Sequence, residues 1–414
     1  MKRLIFKLFL TFRMSDLSLT VKNCTLNKNH GTYAILQFRQ DTEEEREMNN
    51  TAELLLLVGS YSPSDKDGIH VYRFEAEGGG KLERLSGTDG IANPTFLNVD
   101  AGTKRLYAIG ECVNSDGVKE GEVAAYSIDV KSGTLGELSR TGTMKAENGV
   151  QTTTCHINRD SSSRFLTVVS YHGGKIGIVE LDNEGRTVKL TDTALHAGHG
   201  ADPVRQDRPH PHCAIFSPDE RYLFVCDLGL DLIRGYRVDR DTLKLELHGD
   251  TKLHPGAGPR HFTFHPDGHS AYVINEVDST ITAFTYDAQK GQLTLAETYP
   301  ALPSDFKDEN TCGEITLSPD GRFLYGSNRG HDSIVVYEVN GPAKLEYVEH
   351  VSTHGGHPRH FALTPDGAYL ICANRDGNNL VVFSRNAASG RLAFTGVEAE
   401  VSKPVCVKPV EIRA

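Results

Sequence analysis

Tryptophan is missing from all 414 positions of the chain, which excludes the propeller repeats built around a Trp-Asp pair. The eight cysteines, at 24, 112, 155, 213, 226, 312, 372 and 406, include no Cys-x-x-Cys. Neither a zinc ribbon nor a thioredoxin-type redox pair is therefore present. Scattered thiols of this kind read as small buried hydrophobes in a reducing compartment. No G-x-S-x-G occurs, so nucleophilic catalysis by serine has no supporting elbow. No run of eighteen apolar residues occurs either, and a membrane partner is not expected. Positive charge is in deficit: 44 Lys and Arg against 55 Asp and Glu give a net charge of −11. That sign argues against a nucleic-acid partner. An anionic small molecule would need a local cluster of Arg and His set against the overall field.

What is present is turn chemistry and a repeat. Glycine occurs 40 times and proline 17, while hydrophobic residues make up 38%, enough for a sizeable core. The start, MKRLIFKLFLTFRM, mimics a secretory signal, but Lys7 interrupts the apolar stretch and no small-x-small site follows. A cytoplasmic location is expected. Residues 1 to about 50, with the charge block DTEEERE at 41–47, differ from everything after them. They read as a flexible arm, or as upstream sequence outside the natural product if translation starts at Met48.

From residue 53 to 412 a phrase recurs. HCAIFSPDERYLFVCDLGLDLIRGYRV at 212–238 returns as HFTFHPDGHSAYVINEVDSTITAFTY at 261–286, EITLSPDGRFLYGSNRGHDSIVVYEV at 314–339 and HFALTPDGAYLICANRDGNNLVVF at 360–383. Weaker copies are anchored at Asp100 and Asp160. Each unit reads strand, Pro-Asp-Gly turn, strand, polar loop and third strand, usually with a fourth behind it. Pro presets φ, Asp caps the following backbone, and Gly accepts φ > 0. Four short antiparallel strands at a period near fifty residues form a propeller blade. Six complete units leave a C-terminal strand, Val405 to Ile412, and an N-terminal pair within 54–75. Joined, they make a further blade whose innermost strand comes from the C terminus, which closes the ring and removes exposed edges. The expectation is an all-β, seven-bladed propeller of four-stranded blades.

These phrases resemble the seven-bladed propeller lactonase family that contains the bacterial 6-phosphogluconolactonases, with the fungal carboxymuconate cyclases as a related branch. The residues that carry the resemblance are Pro-Arg-His at 259–261, Asn-Glu at 275–276, His212 before its Ser-Pro-Asp turn, and Asn-Arg at 328–329. It implies catalytic roles for His212, Arg260, Glu276 and Arg329, with acid–base catalysis by the His and the Glu and stabilisation of the anion and oxyanion by the Arg residues, in metal-independent hydrolysis of an anionic sugar-acid lactone, 6-phosphogluconolactone foremost, without a cofactor.

The residue types suit that chemistry. A lactone hydrolase needs an activated water, a stabiliser for the tetrahedral oxyanion and a proton for the leaving alkoxide. Imidazole moves protons near neutral pH, and guanidinium binds phosphate or carboxylate bidentately. Further candidates for substrate contact lie near the inner strands: His156, His210, His261, Glu314, Arg359 and His360. Glu276 and Arg329 share one place in the repeat, just after the second strand, where most units are expected to carry a small or polar residue. The long loop HAGHGADPVRQDRPHPH at 196–212 reads as a lid or substrate-holding segment. A zinc pair at His210 and His212 with His196 or His199 is the weaker reading, because the spacing is irregular and Pro211 constrains it. Two rival functions stand beside the sugar lactonase: a muconate-type cycloisomerase or lactonase, and a propeller that only binds a ligand or a protein. Fold alone does not separate them. Oligomeric state is not legible.

Overall fold

The computed structural model describes residues 52–413 and, before them, the backbone of two short strands, Ser18–Thr20 and Gln37–Arg39, paired antiparallel. The readings of residues 1–50 as arm or upstream sequence lie otherwise outside the described residues. The chain divides into a unit of Met1–Ala52 with Arg413–Ala414 and a larger unit, Glu53–Ile412.

The larger unit is a ring of seven four-stranded antiparallel blades. Blades one to six begin with the inner strands Leu97–Asp100, His156–Arg159, Pro211–Phe216, Pro259–Phe264, Thr311–Leu317 and Pro358–Leu363. In the seventh, the C-terminal strand Pro404–Arg413 is innermost, followed outward by Ala52–Ser60, Ile69–Glu75 and Lys81–Thr88. The closure expected from the leftover strands is the closure found. Its outer edge lies one strand further on than the expected 54–75.

The run Leu54-Leu55-Leu56-Leu57-Val58 explains why this blade packs. Successive side chains leave a strand on opposite faces, and both faces of a blade meet a neighbour. Leu55 and Leu57 join the core shared with blade one, beside Leu97 and Leu106. Leu56 and Val58 join the core shared with blade six, beside Ile371 and Leu380. Unbroken hydrophobicity is thus the signature of a strand buried on both sides, each such Leu contributing ~1.5–3 kcal/mol.

The Pro-Asp-Gly turns sit at the end of each blade opposite the site described below. Gly268, Gly321 and Gly367 have φ of 70°, 72° and 69°, and Glu220 holds the same left-handed conformation at 52° without being glycine. Asp267 Oδ1 accepts the His269 N–H at 2.7 Å, the backbone capping that the turn sequence calls for. Helix is confined, among the described residues, to one 3-10 turn at Leu228–Leu230.

Candidate active site

Three inner strands contain the same irregularity. Pro211 pairs with Asp227 and Cys213 with Cys226, leaving His212 unpaired. In blade four Pro259 and His261 are paired and Arg260 is skipped, and in blade six Pro358 and His360 are paired and Arg359 is skipped. Each bulge frees one residue from the ladder and re-aims its side chain, and the preceding Pro, which has no N–H to lose, suits the strand's first position. His212, Arg260 and Arg359 thereby meet at one mouth of the ring. His212 and Arg359 line an open-sided cavity of about 210 Å³ together with Glu276, Tyr61, Glu111 and Tyr171.

Glu276 is the centre of the positive cluster. Its carboxylate lies 2.9 Å from Arg260 Nε and 2.7 Å from Arg329 Nη2, and it also meets Arg205. Arg260 is fixed from its far side by the Gly313 carbonyl at 2.7 Å, and Arg329 by the Cys312 carbonyl. Burial alone would raise the Glu276 pKa, but the guanidiniums of Arg329, Arg260 and Arg205 win and hold the carboxyl far below the usual carboxylate range. Burial and then the neighbouring Arg329 and Arg359 lower the pKa of Arg260. Arg359 is different: its guanidinium lies 5.9 Å from the Tyr61 ring centroid, and it forms no ion pair among the described residues.

One layer deeper the inner strands contribute Phe96, His156, His261, Glu314 and His360. The His156 ring packs against Phe96 and His261 at centroid distances of 4.5 and 5.8 Å. His261 Nδ1 lies 2.9 Å from Glu314, and His360 Nε2 approaches the same carboxylate at 3.1 Å. Only a throat of about 10 Å³ separates this layer from the mouth. That room fits one water, so direct substrate contact, expected for His156, His261, Glu314 and His360, does not fit their depth. His210 is likewise withdrawn. Its ring stacks on Tyr171 at 4.2 Å, with Nδ1 on the Tyr171 carbonyl at 3.0 Å and Nε2 on Asp207 at 3.1 Å.

Burial pushes the pKa of His212 well below 6.5, and Arg260, His261, Arg359 and Arg329 add to the effect. The imidazole is thus neutral at neutral pH, the form that accepts a proton. His196, from the histidine-rich loop, is engaged elsewhere, with Nδ1 2.6 Å from Asp227 and Nε2 2.9 Å from the Tyr236 hydroxyl. Arg205 from the same loop reaches Glu276, so the loop does contribute to the mouth.

Sequence reasoning missed Tyr61, Glu111, Tyr171 and Arg205. The first three occupy the repeat position shared by Glu276 and Arg329, just after the second strand at Tyr61, Tyr171 and Glu276 and within its last residues at Glu111 and Arg329, and Arg375 occupies it in blade six. The expectation of small or polar residues there is wrong: the position is large or charged because it rims the mouth. Aligning all seven units on that place would have found the three. Arg205 lies in an irregular loop and had no such signal.

A family model described as a seven-bladed β-propeller lactonase matches residues 55–409. The 6-phosphogluconolactonase of Bacillus subtilis is 35% identical over 352 residues, 85% of this chain and 97% of its own. The 6-phosphogluconolactonase of Formosa agariphila is 35% identical over 315 residues, 74% of this chain and 86% of its own. Among solved structures, the periplasmic gluconolactonase of Pseudomonas aeruginosa aligns with a TM-score of 0.78 and 29% identity, covering 86% of this chain and 99% of that one. No helix among the described residues is long and apolar enough to cross a membrane.

Proposed function

Because the chain belongs to the seven-bladed β-propeller lactonase family, we propose that this lactone-hydrolysing enzyme opens a phosphorylated sugar-acid lactone, 6-phosphogluconolactone to 6-phosphogluconate. The observation that carries the substrate class is the charge of the mouth. Arg205, Arg260 and Arg329 share the single carboxylate of Glu276, and Arg359 adds a fourth guanidinium beside the same cavity. An excess of positive charge, with Arg260 and Arg329 buried and Arg205 and Arg359 at the opening, is stabilised in an acidic protein by an anionic ligand.

In this reading His212 takes a proton from a water as its oxygen attacks the lactone carbonyl. Arg260, held rigidly by Glu276 and Gly313, stabilises the developing oxyanion together with Arg329. The C–O bond to the ring oxygen then breaks, and the His212 imidazolium returns the proton to the leaving alkoxide. Glu276 carries no proton in this scheme. The three guanidiniums make it too weak a base, and its role is to position them. That replaces the acid–base role expected of Glu276 from the sequence.

Arg359 is the residue we assign to the remote phosphate. Arg359→Met is expected to raise KM for 6-phosphogluconolactone by about 10- to 100-fold while largely sparing kcat, as for lost uniform binding. For unphosphorylated gluconolactone the same change should have little effect. Equal losses on both substrates would remove Arg359 from this role. The relationship to a periplasmic gluconolactonase favours the unphosphorylated lactone as the second reading, and the wild-type preference between the two decides it. Acid release from freshly made lactones, with and without a chelator, is the measurement. Failure to accelerate any sugar-acid lactone above its spontaneous rate would overturn the proposal and leave a muconate-type lactone or a binding propeller.

The pH profile gives a separate check. A base with a lowered pKa remains deprotonated as pH falls below 6.5 and is lost only when pH passes through the lowered value. The acid limb of kcat/KM, which reports the free enzyme, is therefore expected well below pH 6.5. A limb at or above pH 6.5 would mean that His212 is not the titrating base.

A further inference from the structure

We propose that Glu314 and His261 form a relay beneath the mouth that fixes the tautomer of His212 and so leaves its Nε2 free to act as the base. The inference rests on His212 being the base in the reading above. It is carried by two buried nitrogens: His212 Nδ1 and His261 Nε2 have no hydrogen-bond partner among the described residues. The two rings are neighbours, 5.0 Å apart between centroids, and both line the narrow throat between the layers. Buried polar atoms in folded proteins are satisfied as a rule. Two of them, on neighbouring rings beside space for one water, are both satisfied through that water if one carries a proton and the other does not.

The surroundings settle which. Glu314 Oε1 accepts the Ile315 N–H at 2.9 Å. His360 Nδ1 accepts the Val407 N–H at 3.4 Å, so its proton is on Nε2, 3.1 Å from Glu314 Oε2. A carboxylate only accepts, and His261 Nδ1, 2.9 Å from Glu314 Oε2, must be the protonated nitrogen. A neutral imidazole then has a bare Nε2, which accepts from His212 Nδ1–H through one water in the throat. His212 in turn has a bare Nε2. As that atom takes the proton of the attacking water, the charge gained is shared down the line: His212 Nδ1–H toward His261 Nε2, and His261 Nδ1–H toward the Glu314 carboxylate. No proton need leave the chain, because His212 returns its own to the alkoxide. The deep layer thus has a use that does not require substrate to reach it. His261 and Glu314 are positioning residues.

Glu314→Gln tests this without removing volume. The Ile315 N–H holds the amide oxygen at the Oε1 place, which puts the NH₂ at the Oε2 place, 2.9 Å from His261 Nδ1 and 3.1 Å from His360 Nε2–H. With a donor at the Oε2 place, the His261 tautomer protonated on Nε2 gains against the one that donates to the Oε1 place at 3.0 Å, and its Nε2–H opposes His212 Nδ1–H and disfavours the productive tautomer of His212. The analogous carboxylate-to-amide change in a Ser-His-Asp triad acts by such a tautomer switch. The expected result is a kcat loss of about 100-fold with KM changed by less than about threefold. Imidazole ¹⁵N spectra should move the His261 proton from Nδ1 to Nε2. Should Glu314→Gln not fold, His261→Phe keeps a ring in the layer, deletes the acceptor and should show the same kcat loss. If His212→Ala abolishes turnover while Glu314→Gln, or His261→Phe in its place, retains kcat within about threefold, the relay is wrong and the catalytic reading stands. If His212→Ala itself retains turnover, it is the catalytic reading that falls.

Discussion

His212→Ala is expected to lower kcat by roughly 100- to 10,000-fold, the range for loss of a general acid–base group, with a smaller change in KM. Folding should be nearly unaffected. His212 lies in a bulge and takes no part in the paired ladder, and its ring faces a cavity that already exists. Activity and thermal unfolding measured on one preparation separate the two effects. A folded His212→Ala protein with near-normal kcat on the best lactone would end the acid–base assignment. Arg260→Lys sharpens the test, since lysine keeps the charge and loses the planar fork. If Arg260 faces the oxyanion, its kcat should fall about 100-fold.

Removing residues 404–414 is expected to abolish the soluble folded protein. The deletion takes away the innermost strand of the seventh blade and with it the buried Val405, Cys406, Val407 and Ile412. It also uncovers the backbone of Ala52–Ser60, whose apolar run would become an open edge suited to pairing between chains. Aggregation should follow, rather than a six-bladed ring. A monodisperse truncated protein with one cooperative thermal transition would show that the ring does not depend on this closure.

Most of the fold was legible because the repeat carries its own punctuation. Pro-Asp-Gly at a fixed offset, followed by apolar strands, specifies hairpins by local turn chemistry, and the unpaired terminal strands left one way to close the ring. The site was legible in part. His212, Arg260 and Arg359 announce themselves as charged or titratable residues at the start of an apolar strand. Their depth did not. His261 adjoins Arg260 in sequence, but the bulge sends them to different layers, and nothing in Pro-Arg-His indicates where a ladder slips. The role of Glu276 was hidden for another reason: a carboxylate is read as acid or base until its neighbours are known, and Arg205 joins it from 71 positions away in the chain.

The bulges also uncouple the reactive group from the sheet that presents it. In those three blades the backbone pairs on either side of the skipped residue, so its side chain contributes little to whether the blade forms. Thr95, Cys155, His212, Arg260, Gly313, Arg359 and Val405 stand at corresponding places in the repeat, and seven residues so unlike one another share a scaffold that hardly varies. The ring therefore presents seven corresponding places, three of them freed by bulges and used by His212 and the arginines. Those at Thr95, Cys155 and Val405 are the places to change the shape and polarity of the accepted lactone while leaving the base and the oxyanion donors where they are.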